Sequence, residues 1–375
     1  MKNIIITKLY ANQNTPLNPT FESSMKPRIL FICPDIAEPS GGVKQIYRQV
    51  DVLNSLGYKA LIVHQNQGFK PQWFTFDTPI EYHYLIHAEL NNQPAILPQW
   101  YIKLREAQLA RNDFKIDNSD ILVFPEAYGP NINKVFPSHS KVIYNQGCYN
   151  SFRKFPLQLT KSETPYAHSN TLATIINSDD AINYLKLAFG NIPIFKIHHS
   201  IDMEIFKPAS KKKQILYMPR KNVGDIKQVI QINALRENLN GWIIKDLDQL
   251  THTEIAHAMN ESSIFLSSNL DEGFSLPSIE AMASGCLVIG YPGKGGKEYF
   301  KPEFSMPVPD KDIQQFAIKL EEGIQKIENQ PQYLKDIAQK ARTHISNNHC
   351  GKSEKRDIQN AWDFILKANS NRLNA

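Results

Sequence analysis

The chain has 375 residues, 42% of them hydrophobic and 21% charged, which fits a globular protein with room for two domains. Its net charge of +5 is too mild to argue for nucleic acid and compatible with anionic substrates or anionic lipid. Cys33, Cys148, Cys286 and Cys350 are scattered without a CxxC pair, which argues against a disulfide framework or a zinc site and suits a reducing cytoplasm. No apolar run reaches the ~18 residues of a membrane span.

Residues 1–26 read as a polar leader without the cleavage pattern of a signal peptide. The first core element is "RILFICPD" (28–35), a continuous apolar run of the kind a buried parallel strand shows. In "EPSGGVKQIYRQVDVLNSLG", Val43, Ile46, Tyr47, Val50, Leu53 and Leu56 fall at helical spacing, with Gly57 where a C-terminal cap belongs. "KALIVHQ" completes a βαβ unit that places Gly41 and Gly42 at a helix N-terminus.

Strands are predicted at 120–126, 141–147, 172–178 and 194–200, with helices at 100–111 and 179–189. A second series begins with strands at 213–220, 241–246, 262–268 and 286–291. Its helices are expected near 225–238, 253–260, 277–284 and 311–328, and "THTE" at 251–254 makes a capping box. Two such series predict two facing α/β domains, with the ligand in the crevice outside the carboxyl ends of the strands.

The most informative stretch is "DEGFSLPSIE" (271–280). It predicts a loop after a strand, with Pro277 in the first helical turn. The N–H groups of Gly273, Phe274, Ser275 and Leu276 are expected to be unpaired and to face the crevice at a helix N-terminus, a setting suited to phosphate or sugar oxygens. Glu272 precedes the turn and Glu280 is placed in the first helical turn. Carboxylates there repel phosphate and accept hydrogen bonds from flanking hydroxyls. A ligand with hydroxyls on both sides of a diphosphate is a nucleotide sugar.

"EGFSLPSIEAMASG" resembles the E-x7-E donor motif of the retaining GT-B glycosyltransferases, the group 1 type of family 4. The resemblance runs from about residue 27 through most of the chain and includes "PSGGVKQIYRQVDVLNSLGYKA", "YMPRKN" and "GGKEYF". It implies a GT-B fold of two facing Rossmann-like, doubly wound domains. The first would span 27–205 on the acceptor side and the second 206–355 on the donor side, with a C-terminal helix, 356–375, returning to the first.

The resemblance also implies roles. Glu272 would contact the donor sugar and Glu280 the ribose, while the backbone of Gly273–Leu276 holds the sugar and distal phosphate. Arg220 and Lys221 would neutralise the diphosphate leaving group, with Lys227 a competitor for the place of Lys221. Gly41 and Gly42 would close over the phosphates. No metal and no cofactor is then needed, since the cations take the charge.

Departures are visible. Where many relatives carry a first-domain histidine facing the sugar, this chain reads Asn145-Gln146-Gly147. Those amides are not bases and are expected to position hydroxyls. Ser275 stands where glycine is commoner, and Ser200 where asparagine is frequent. Glu126, ending "LVFPE", is a candidate for binding acceptor or serving as base. His198 and His199 read as structural, "DLD" (246–248) as an ordinary loop, and "SKKK" (210–213) as a solvated linker.

The expected activity is transfer of a hexosyl or deoxyhexosyl group from a nucleotide-diphosphate sugar to a hydroxyl of a surface glycan or lipid-linked acceptor. The protein is expected in the cytoplasm, with the helix at 100–111 a candidate for resting on an anionic membrane. A nucleotide-sugar epimerase and a non-catalytic sugar-nucleotide-binding subunit are the alternatives; the first would want acid/base groups that Asn145 and Gln146 do not offer.

Overall fold

A computed structural model describes residues 27–91, 103 and 106–374. The expected leader at 1–26 lies outside the described residues, as does most of the first half of the expected helix at 100–111.

The first domain is a seven-stranded sheet in the order β3-β2-β1-β4-β5-β6-β7, every pair parallel. Its strands are β1 (Arg28–Ile32), β2 (Lys59–His64), β3 (Ile80–Tyr82), β4 (Ile121–Pro125), β5 (Ser140–Tyr144), β6 (Thr171–Ile176) and β7 (Ile194–Lys196). Both faces are covered, so successive side chains enter two different cores. Ile29 and Phe31 join Val123 and Tyr144 on one face, while Leu30 and Ile32 join Phe124 and Ile143 on the other. That double burial is why the strands read as continuous apolar runs rather than alternating ones.

Helices α1 (Gly41–Ser55), α2 (Tyr84–Asn91) and α3 (Asp179–Phe189) connect these strands. Ser40 caps α1 by accepting from the Val43 N–H, and Ser178 caps α3 by accepting from Ala181. Gly57 follows α1 with φ +82°, a left-handed conformation that glycine adopts without a Cβ penalty.

The second domain is a five-stranded parallel sheet in the order β12-β11-β10-β8-β9. The strands are β8 (Lys212–Tyr217), β9 (Ile243–Asp246), β10 (Ser262–Asn269), β11 (Leu287–Pro292) and β12 (Ser305–Pro307). Helices α4 (Val223–Leu235), α5 (His252–Glu261), α6 (Leu276–Ala283), α7 (Ile313–Asn329) and α8 (Tyr333–Asn348) pack around them. The Thr251 capping box forms: Thr251 Oγ1 accepts from the Glu254 N–H, and Glu254 accepts from the Thr251 N–H at 2.8 Å.

Two segments carry the chain between the domains, and they run side by side. The first follows β7; the second joins α8 to the last helix, α9 (Gly351–Leu373). The Ile201 N–H donates to the His349 carbonyl at 2.9 Å. Helix α9 packs on the first domain, where Trp362 is fully buried against Phe31. Buried Glu354 accepts from Arg48 of α1 at 2.8 Å and from Ser200 Oγ at 2.8 Å. Arg372 donates to Ser140 Oγ at 2.9 Å.

A third contact joins the two domains. Lys196 on β7 pairs with Glu298 at 2.5 Å, and Glu298 also accepts the first N–H of α3, from Asp179.

Candidate active site

The carboxyl ends of both sheets face one crevice of ≈ 560 Å³, where open parallel sheets place ligands. The wall from the second domain is built by β8, β10 and α6. Strand β10 ends at Asn269, whose Nδ2 donates to Ser275 Oγ at 2.6 Å and to Ser278 Oγ at 3.1 Å. This network pins the 270–275 loop to the start of α6 and leaves Glu272, Gly273, Phe274, Leu276, Pro277 and Glu280 lining the crevice.

Two expectations about this loop are corrected. Ser275 does not face the crevice: it is buried, its N–H donates to Tyr299 Oη at 3.1 Å, and its carbonyl accepts from the same hydroxyl. Tyr299 thus consumes one of the backbone donors expected to be open. Among the described residues the N–H groups of Gly273, Phe274 and Leu276 find no acceptor. Glu280 is not in the first helical turn either; α6 begins at Leu276, so Glu280 lies one turn further along.

His252, which the sequence did not single out, opens α5 and places Nε2 3.8 Å from Glu280 Oε1. That nitrogen is buried without a hydrogen-bond partner. The capping box that fixes the start of α5 was the available signal for it.

Gly273 is where the second wall meets the first. A Cβ there would sit 2.7 Å from the Gln146 carbonyl and 2.8 Å from Asn177 Oδ1, both in the first domain. Behind it, a Cβ on Gly295 would fall 1.8 Å from the Gly273 carbonyl. Both positions require glycine because backbone passes where a side chain would begin.

The basic pair after β8 reaches this loop. Lys221 forms an ion pair with Glu272, and burial lowers its pKa, with Arg220 beside it adding to the effect. Arg220 reaches across the crevice and donates from Nη1 to the Pro39 carbonyl at 2.7 Å. Lys227 is exposed on α4 and does not line the crevice, so Lys221 is the lysine near the motif.

The first-domain wall begins at α1. The N–H groups of Gly41 and Gly42, at the first positions of the helix, have no acceptor among the described residues. A Cβ on either would meet only side-chain atoms at 3.6 Å, so neither glycine is demanded by packing. Lys44, two residues beyond the glycine pair, also lines the crevice. Burial lowers its pKa, partly offset by Glu280 opposite.

Gln146 is the hub of this wall. Its Nε2 donates to the Gly42 carbonyl at 3.1 Å, its N–H to Glu126 Oε2 at 3.1 Å, and its carbonyl accepts from Asn177 at 3.0 Å. Asn145 is a correction. It is fully buried, and its Nδ2 donates to Ser151 Oγ and Tyr166 Oη at 2.7 Å each. Past the end of β5 the two amides point opposite ways, and only Gln146 faces the crevice.

Glu126 lines the crevice although the residue is only 8% exposed. Burial pushes its pKa up to about 7, against the hydrogen bond from Gln146. His199, read from sequence as structural, also lines the crevice, with Nδ1 unpartnered and its edge on the Phe274 ring. Burial drives its pKa down to about 3. His198 instead pairs with Asp357 of α9 at 2.7 Å.

Comparison with known proteins locates this geometry. Residues 223–344, the span from α4 into α8 that carries both glutamates, match the glycosyl transferases group 1 family. The match lies within the second domain. A curated alpha-1,6-glucosyltransferase of Actinobacillus pleuropneumoniae is 24% identical over 203 residues, 49% of this chain. The match covers 56% of that relative, little more than half of its length.

The described residues have the GT-B fold. Sucrose-phosphate synthase of Thermosynechococcus elongatus superposes with a TM-score of 0.65 at 14% identity, over 91% of this chain and 100% of its own. Anabaena HepE, solved with UDP and glucose, gives 0.63 at 15% identity over 90% and 99%. TarM gives 0.63 at 12% identity over 92% and 99%. In this chain the matched span supplies Glu272 and Glu280 to the second-domain wall, and Arg220 and Lys221 lie just before it. The wall with Glu126 and Gln146 belongs to the other domain, outside the family match.

Proposed function

We propose that the protein is a retaining glycosyltransferase that moves a hexosyl or deoxyhexosyl group from a nucleotide-diphosphate sugar to a hydroxyl of a surface glycan or lipid-linked acceptor. One observation carries the reading: Glu272 and Glu280 line the same crevice on either side of the open N–H groups of Gly273, Phe274 and Leu276, with Lys221 paired to Glu272. Hydroxyl-binding carboxylates therefore bracket a phosphate-compatible loop. The relative named for glucosyl transfer and the neighbour solved with UDP and glucose support a hexose and a uridine nucleotide.

In this reading Glu280 holds the ribose and Glu272 the sugar. Arg220 and Lys221 take the charge that develops on the diphosphate as the anomeric bond breaks. Such electrostatic stabilisation accounts for most of the rate enhancement in many enzymes, and here it needs no divalent metal. Gly41 and Gly42 offer the N-terminus of α1 to the same phosphates. Closure of the two walls excludes water and limits hydrolysis of the donor.

We place the protein in the cytoplasm, at the membrane face where lipid-linked acceptors are found. No described helix is long and apolar enough to cross a membrane.

The test is incubation with a panel of UDP-, GDP- and TDP-sugars, with and without EDTA, and with alkyl glycosides as acceptors. Released nucleoside diphosphate together with a new glycoside of the donor's anomeric configuration, by NMR, is the expected result. An isomerised nucleotide sugar, or binding without turnover, would replace this reading with an epimerase or a binding subunit. A product of opposite configuration would refute retention, and abolition by EDTA would refute the metal-free step.

A further inference from the structure

Glu280 and His252 stand together on the second-domain wall, and both line the crevice. The Glu280 side chain is only 12% exposed. Two basic side chains face it without bonding to it: His252, whose Nε2 lies 3.8 Å from Oε1, and Lys44 of the first domain. The His252 Nε2 is itself buried without a hydrogen-bond partner. A buried ring nitrogen in that state destabilises the site until a ligand completes it.

Packing holds the pair in place. The Thr251 capping box fixes the first turn of α5. The His252 ring stands edge-on against the buried ring of Phe206, with centroids 5.3 Å apart and planes at 77°. Glu280 sits on α6 between buried Ile279 and Ala281. Ile255, three residues beyond His252 and on the same side of α5, also lines the crevice. The polar pair therefore has an apolar neighbour, the kind of surface on which a nucleobase rests.

A separation of 3.8 Å is too long for a hydrogen bond. It suits a single oxygen lying off the line between the two atoms, about 2.7 Å from the carboxylate and about 2.9 Å from the ring nitrogen. That oxygen must donate to Glu280, because a carboxylate only accepts, and must accept from the Nε2–H form of His252. A hydroxyl does both. An ionised phosphate oxygen cannot donate, an ammonium cannot accept, and a C–H group does neither.

We propose that His252 and Glu280 share one hydroxyl of the donor's ribose, so that the nucleotide must carry that hydroxyl to bind well. The second Glu280 oxygen is left for the neighbouring hydroxyl of the diol. The inference rests on the reading of Glu280 as the ribose ligand and adds the residue that reads the hydroxyl as an acceptor. A nucleotide lacking it leaves Nε2 and a carboxylate oxygen unpaired together, which weakens binding more than one lost bond would.

The experiment is calorimetric titration with UDP or GDP, whichever the wild type binds more tightly, and with its 2′-deoxy and 3′-deoxy analogues. One of the two analogues should bind the wild type at least about tenfold more weakly than the parent. His252→Phe keeps a ring against Phe206 and removes the nitrogen. It should weaken the parent roughly three- to tenfold and leave that same analogue within about twofold. His252→Gln, whose amide N–H still donates, should recover most of the affinity lost in His252→Phe. Discrimination left intact in His252→Phe would overturn the sharing, whether all affinities fall equally or none changes. A wild type that binds the parent and both analogues alike would overturn it without any variant. A wild type that binds neither UDP nor GDP would instead overturn the reading of Glu280 as a ribose ligand.

Discussion

Arg220 of the second domain donates to the carbonyl of Pro39, two residues before α1 of the first, at 2.7 Å. The guanidinium proposed to receive the diphosphate is therefore also a contact between the two walls. Arg220→Ala is expected to lower kcat/KM by about 10²–10³-fold, the usual cost of removing a donor to developing negative charge. Arg220→Lys should recover only part of it, since an ammonium cannot present a planar pair of donors. Steady-state kinetics with the preferred donor checks both.

Lys221 and Glu272 are paired before any ligand arrives, so donor binding must redistribute that contact. Glu272→Gln and Lys221→Met should each weaken the donor about tenfold. The double variant should lose less than the product of the two, because contacting residues are not additive. A double-mutant cycle on donor dissociation constants is the measurement; strict additivity would separate the two residues functionally. Both single changes should matter less at high salt, as half-exposed pairs are screened.

Gly273 and Gly42 separate steric from functional demand for glycine. Gly273→Ala puts a methyl 2.7 Å from the Gln146 carbonyl, and backbone cannot yield as a side-chain tip can. It is expected to hold the walls apart and reduce kcat at least tenfold. Gly42→Ala meets only the flexible end of Gln146 at 3.6 Å, so thermal stability should stay within a few degrees while donor KM rises. Thermal shift and kinetics on the two variants distinguish the cases.

Glu126 has a stability signature. Its folded pKa of about 7 lies above the ordinary 4.5, so the folded state binds the proton more tightly. Folding stability is fully present below pH 4.5 and falls as pH rises toward 7, by on the order of 3 kcal/mol when the whole shift is counted. Glu126→Gln should flatten that fall and exceed the wild type in stability at pH 8. Urea unfolding at pH 5 and pH 8 tests it; equal pH dependence in both proteins would contradict the raised acidity.

The sequence was most readable where burial is two-sided. Continuous runs such as "ILFI" and "IFLSS" exist because each strand is covered on both faces, and they located the long strands of both sheets. The short edge strands Ile80–Tyr82 and Ser305–Pro307 went unseen, whereas Ile194–Lys196, equally short and at an edge, was read as part of a longer apolar run. Helices α2 and α8 were not read either. Within the site, Glu272, Glu280 and Lys221 could be found through local spacing and the resemblance it supports. What the sequence could not tell was long-range. Tyr299, 24 residues away, covers Ser275, and Tyr166, 21 residues away, fixes Asn145 inward. His252 faces Glu280 only because α5 starts beside α6.

The paired segments between the domains carry a mechanical consequence. A single linker would let the second domain swing in any direction. Here the chain crosses twice, and the crossings are bonded to each other through Ile201 and His349, with the Ser200–Glu354 contact alongside. Two adjacent attachment points remove the sideways freedom and leave one soft coordinate, rotation about the line joining them. Opening would then part Lys196 from Glu298 and Arg220 from Pro39 in a single sweep, and closing would return Gly273 to Gln146 along the same arc.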